Sequence, residues 1–259
     1  MSEQGSLVSR KLGAGRLVAA TVGVIRKQGR TMLAAAPWSL VVFVLTLPFA
    51  LIVSSLYRLQ DWMILAAALV CLIAFARTTY AWHRVVLLGE TAHTAAARGG
   101  SSEARHFVLL GGLSICGMAI ARATGDLPYV LYMLIGGGND ELFYGMLMAL
   151  LALVWLPVLY GLAVYGLSLP CAAVTGTYGF GAMRGAMRYP RWPLMLAFLT
   201  LLVLGAHASN DLRPMLYDYV GVQALQGVLA AVGCVGVIFV LTAMTSVAYR
   251  DSEIGAELN

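Results

Sequence analysis

Two Glu-x-x-His units, Glu90-Thr-Ala-His93 and Glu103-Ala-Arg-His106, carry the metal-ligating chemistry of the sequence. On a helix, positions i and i+3 share a face, and two such units build a carboxylate-bridged di-metal site when two more Glu face them. The remaining acids lie mostly on the opposite side of the membrane in the topology read below. Arg98-Gly-Gly-Ser-Ser102, between the units, reads as a flexible turn. The spacing fits a solvated loop, so the reading is no metal and no cofactor, with Glu90, His93, Glu103 and His106 as the weak candidates.

The basic residues point to anions instead. Arg77 and Arg84 are seven apart and share a helix face, with His83 beside them. Such residues either hold lipid head groups of the charged leaflet or simply snorkel to the interface. Arg184 and Arg188 are candidates of the same kind. Arg122 and Asp126, four apart, make a self-neutralising pair where a span meets water. The chain has no Gly-x-Ser-x-Gly, no His-Glu-x-x-His, no kinase set and no dinucleotide fingerprint. The expectation is therefore a non-enzyme, with no catalytic residues and no nucleic-acid partner.

The composition says what must position these groups. Of 259 residues, 60% are apolar and 11% charged, against about 25% charged in a soluble domain. This excludes a soluble globule, a disordered chain and a disulfide scaffold. Six apolar runs approach or exceed the roughly 20 residues that cross a bilayer: 32–57, 63–82, 107–127, 142–167, 192–208 and 220–247. Backbone groups in lipid must be satisfied within the segment, which dictates helices. The fold class is all-α, a polytopic transmembrane bundle of six spans over 32–249, between an N-terminal region 1–31 and a tail 250–259. The piece 128–138 is either interfacial or a continuation of the third span past Pro128.

With six spans, 14 of the 17 Lys and Arg fall on one side, leaving Arg58, Arg122 and Arg213 on the other. The positive-inside rule makes the first side cytoplasmic, with both termini. No cleaved signal is expected, because the first apolar run is too long for one. The four cysteines read as small buried hydrophobes.

Residues 14–30 form a basic amphipathic helix, with Ala14, Leu17, Val18, Val22 and Ile25 on one face and Arg16, Arg26, Lys27 and Arg30 on the other. The stretch 178–191 repeats the theme, with Phe180, Met183, Ala186 and Met187 on one face and Arg184 and Arg188 flanking it. Each is followed by a Pro- and Trp-bearing start and two spans. A repeated unit at 14–82 and 178–247 is one reading; ordinary inner-edge composition is the other.

Trp82-His83-Arg84-Val-Val-Leu-Leu-Gly-Glu90 resembles a motif of uncharacterised six-span inner-membrane proteins of Gram-negative bacteria. These are similar in turn to the membrane domain attached to some glycerophosphodiester phosphodiesterases. Leu167-Ser-Leu-Pro-Cys-Ala-Ala-Val174 and Ser246-Val-Ala-Tyr-Arg250 agree with that pattern. The second amphipathic stretch departs from it, with Gly, Met and Tyr where a Trp- and Thr-containing run is expected. The resemblance implies a bacterial inner-membrane protein and no activity. The expected role is a structural or accessory component whose partners are membrane lipids, other membrane subunits or a second copy. The alternative is a transporter or lipid-handling protein.

Overall fold

The computed structural model describes residues 12–53, 62–89, 91, 94, 100–135, 140–214 and 222–252. Glu90 and His93 lie outside them. The described residues contain helices and no strand: α1 Ala14–Ala35, α2 Pro37–Val53, α3 Trp62–Leu88, α4 Ser101–Gly125 and α5 Leu127–Ile135, then α6 Asp140–Tyr165, α7 Ser168–Thr175, α8 Phe180–Ala186, α9 Trp192–Leu212 and α10 Val222–Arg250.

Five runs are long and apolar enough to cross a membrane: α3, α4 with α5, α6 with α7, α9 and α10. The chain is a multi-pass membrane protein with an all-α bundle. The sixth expected span differs from its reading. Residues 32–35 belong to α1, and α1 and α2 meet at 85°. The cause is Pro37, whose ring disfavours the helical region for the residue before it; Ala36 sits at φ −144°, ψ 61°. The 17 residues of α2 rise about 26 Å, so α1 and α2 make one broken span at most.

The third span is longer than the sequence suggested. α5 continues α4, so residues 128–135 belong to the span. The joined run of 35 residues rises about 52 Å, well beyond a hydrocarbon core of about 30 Å. Arg122 and Asp126 therefore lie within this run, where α4 passes into α5, and not at its end. The second amphipathic helix is shorter than expected. Only Phe180–Ala186 is helical, and Met187 is extended. Gly179, at φ 57°, and Pro190 bound the segment.

Two hairpins, α2–α3 and α9–α10, form the centre. α3 packs on α10, and α2 on α9. Phe43 stacks on Phe75 within the first hairpin, with ring centroids 5.1 Å apart. Trp82 meets Phe239 edge-on at 5.0 Å between α3 and α10. Ser209 of α9 donates to the Leu51 carbonyl of α2 at 2.8 Å. Gly227 lets α9 close on α10: a Cβ there would stand 2.8 Å from Leu212 Cγ and 3.1 Å from Asp211 Cβ.

The basal end is where α3 and α10 finish and α4 and α9 begin. α1 lies across it, against both α3 and α10. Its buried residues are Leu17, Thr21, Val24, Gly29, Met32 and Ala35. Val18 and Val22, read with Leu17 on one apolar face, are exposed while Leu17 is buried, and Arg16, Arg26, Lys27 and Arg30 are exposed as well. The helix thus presents three stripes in turn: one against protein, one apolar and open, one basic. At this end α3 and α10 change character. Residues 78–86 and 241–249 are each buried on every side, whereas nearer the other end burial recurs with helical period.

Among the cysteines, Cys71, Cys171 and Cys234 are buried as expected, but Cys116 is exposed on α4.

Candidate functional site

The fully buried stretch of α3 holds the most polar interior of the protein. His83 and Arg84 are 2% and 6% exposed, and His106 of α4 is fully buried. The His83 and His106 rings meet edge-on, 5.5 Å between centroids.

Hydrogen bonding fixes how the two rings are placed. His106 Nδ1 lies 3.1 Å from the Leu169 carbonyl of α7, which can only accept, so Nδ1 carries the proton. Nε2 lies 3.0 Å from the Thr79 hydroxyl of α3, which also reaches the Phe75 carbonyl one turn back at 3.0 Å. His83 Nδ1 lies 2.8 Å from Ser246 Oγ, and that hydroxyl donates to the Thr242 carbonyl at 2.7 Å. The His83 ring must therefore donate to Ser246. One histidine ties α3 to α10, and the other ties α4 to α3 and α7.

Arg84 completes the cluster. It donates to Tyr80 OH and to the Ala173 carbonyl, both at 3.4 Å, and its guanidinium carbon stands 5.6 Å from the centre of the Tyr80 ring. Tyr80 OH and Ser102 Oγ of α4 lie 2.9 Å apart. Arg105 donates to the Gly176 carbonyl, where α7 ends in a left-handed turn at φ 69°. Chemically this is a clamp: the cluster ties α3, α4, α7 and α10 together.

The sequence paired Arg77 with Arg84, and the structure separates them. Arg77 is outside, 54% exposed in its side chain, 3.9 Å from Glu103; Arg84 is inside. Glu103 thus turns to Arg77 while His106 turns inward, so the Glu-x-x-His unit is split between two surroundings. Among the described residues no group of three His, Cys, Asp or Glu could hold a metal ion.

Of the other candidates, Arg184 is exposed, and its carbonyl accepts from Arg191 Nη2 at 2.7 Å. The Arg188 carbonyl accepts from the Leu12 N–H at 3.0 Å, joining the start of the described chain to the α8–α9 link. Arg122 is half-buried and Asp126 exposed. The link also carries Tyr189, a residue not singled out from sequence. Its OH donates to Asp251 Oδ2 at 2.6 Å, and Arg250 Nε stands 3.1 Å from Asp251 Oδ1. Burial, then the hydrogen bond and the charge of Asp251, push the Tyr189 phenol up to about 12.

The stretches 82–89, 167–174 and 246–250 contribute His83, Arg84, the Leu169 and Ala173 carbonyls and Ser246 to the one cluster. No family model, curated protein or solved structure matches the chain.

Proposed function

We propose that this multi-pass membrane protein is a non-enzymatic accessory component of a membrane assembly, and that α4 to α6 is the part its partner covers. One observation supports the reading. Only 17% of the apolar window of the α4–α5 run is buried, and 17% of that of α6–α7, against 50% for α10. Among the described residues, α4 packs on α3 and α7, and α6 on α9, α5 and α8; neither forms a packed interface with the other or with α10. Val108, Met148 and Leu153 are 61%, 67% and 71% exposed along these arms. Without a hydrophobic drive between helices in lipid, close packing is what holds spans together; thinly packed arms suit contact with another subunit or a second copy.

The proposed setting is a bacterial inner membrane, with the basal end and both termini cytoplasmic. The Lys and Arg bias supports that orientation. The resemblance to the membrane domain attached to glycerophosphodiester phosphodiesterases supports the setting. In that frame the basic stripe of α1 faces the head groups of the inner leaflet and Val18 and Val22 dip into it.

The test places a photo-crosslinking residue at Met148 or Leu153, and at Leu45 of α2 as control, which is 67% exposed. A protein adduct of defined mass at the two α6 positions and not at Leu45 is expected. Equal labelling at all three, or none, overturns the partner reading. So does solute movement by the purified protein in liposomes that Arg77→Ala or Arg122→Ala abolishes. Lipid handling, the second reading, draws on two apolar grooves that meet at Arg77.

A further inference from the structure

Two lateral grooves open on the bundle, and Ile73 and Arg77 line both. The first, about 300 Å³, lies between α2 and α3 and passes Trp38, Val42 and Val70. The second, about 410 Å³, lies between α3 and α4 and passes Ala76, Ala104 and Phe107. Both volumes fall within the range of ordinary ligand pockets, about 300–1,000 Å³. Carbon dominates both walls; Arg77 is the charged group common to the two grooves, and Glu103 lines the second.

Arg77 is suited to an anion there. Its contact with Glu103 is a single long one of 3.9 Å between side chains 54% and 24% exposed, and part-exposed pairs at this distance contribute little. A guanidinium has five N–H donors in a fork that matches phosphate. Trp38, 82% exposed, stands at the mouth of the first groove, where interfacial tryptophans anchor at head-group level.

The geometry points to a binding site for one diacyl anionic glycerophospholipid, with its phosphate on Arg77 and one acyl chain in each groove. A free phosphate would use Arg77 and leave both grooves idle, and a single-chain amphiphile would fill one. Two apolar grooves that share one cation match two tails below one charged head. α6 contributes nothing to the site, whereas α4, part of the arm assigned to the partner, lines the second groove through Ala104 and Phe107.

The test is lipid retention by the intact chain in detergent micelles, read by native mass spectrometry. The probes are dioleoyl phosphatidylglycerol, dioleoyl phosphatidylcholine and inorganic phosphate. The wild type is expected to retain one phosphatidylglycerol about tenfold more strongly than phosphatidylcholine. Arg77→Gln should remove that preference. Ile73→Trp, which keeps the charge and obstructs both grooves, should weaken retention by a similar factor, and millimolar phosphate should not displace the lipid. The proposal is overturned if Arg77→Gln or Ile73→Trp retains phosphatidylglycerol as the wild type does, if phosphatidylcholine binds equally, or if phosphate displaces the lipid. Thermal melting checks that each variant is folded. Should Arg77→Gln fail to fold, Ile73→Trp and the phosphate competition decide.

Discussion

The Thr79 hydroxyl and His106 Nε2 stand 3.0 Å apart, and that contact joins α3 to α4 between two buried side chains. His106 spends its other nitrogen on the Leu169 carbonyl, so one ring holds three helices.

Replacing His106 with Ala should therefore cost about 2–4 kcal/mol, from the cavity and from the polar groups left without it. Arg184→Ala, at an exposed position whose backbone carbonyl survives the change, should stay within about 0.5 kcal/mol. Reversible unfolding in mixed micelles, followed by circular dichroism, measures both. A loss for His106→Ala no larger than for Arg184→Ala would show that the clamp does not hold the bundle.

Gly227 gives a second prediction. A Cβ there would sit 2.8 Å from Leu212 Cγ, so Gly227→Val should force α9 away from α10 and cost about 1–3 kcal/mol. Gly236 on the same helix meets nothing within 4 Å; Gly236→Ala should be neutral or stabilising by up to about 1 kcal/mol, as helix propensity dictates. The same unfolding experiment compares them.

The Tyr189–Asp251 contact makes stability depend on alkaline pH. The folded state holds the phenol neutral, with its titration raised to about 12 from about 10 in an unfolded chain. A raised folded value means the contribution is fully present below about pH 10 and disappears as pH climbs towards 12. Tyr189→Phe should thus be less stable than the wild type by about 1 kcal/mol at pH 8, with the gap closing between pH 10 and 12. A gap that stays constant over that interval would contradict the assignment.

Topology supplies a fourth. If α2 crosses the membrane in company with the five longer runs, both ends of the chain share a side. Fusions after Ser252 should then give a fluorescent cytoplasmic reporter and an inactive periplasmic one, and fusions after Leu212 the reverse. The opposite pattern would mean five crossings or an inverted bundle.

The spans were legible because lipid imposes one rule on every stretch inside it, and hydropathy reads that rule directly. The basic helix α1 was legible for the same reason. Its packed face was not: Val18 and Val22 look as apolar as Val24 and Met32, and nothing in a helical wheel separates a stripe against lipid from a stripe against protein. Arg77 and Arg84 failed differently. A seven-residue spacing puts them on one face, but between them α3 passes from an open surface into a core covered on all sides. Periodicity around a helix carries no information about a change along it. A usable signal was present: Thr78-Thr-Tyr-Ala-Trp-His-Arg84 mixes polar and apolar residues with no helical period, which a lipid-facing segment does not tolerate. The meeting of His83 with His106 had no such signal, since it depends on how two helices pack.

The elbow at Ala36–Pro37 has a mechanical side. α1 is a crossbar laid under the basal ends of α3 and α10, fixed to both, and bent 85° from α2. The two hairpins cannot spread at that end without dragging the bar off one of them. If the open apolar stripe of α1 lies in the leaflet, the bar cannot lift without pulling that stripe out of lipid. Prying the bundle apart would then also mean peeling a helix off the membrane, and the adhesion of that surface helix would act as the latch.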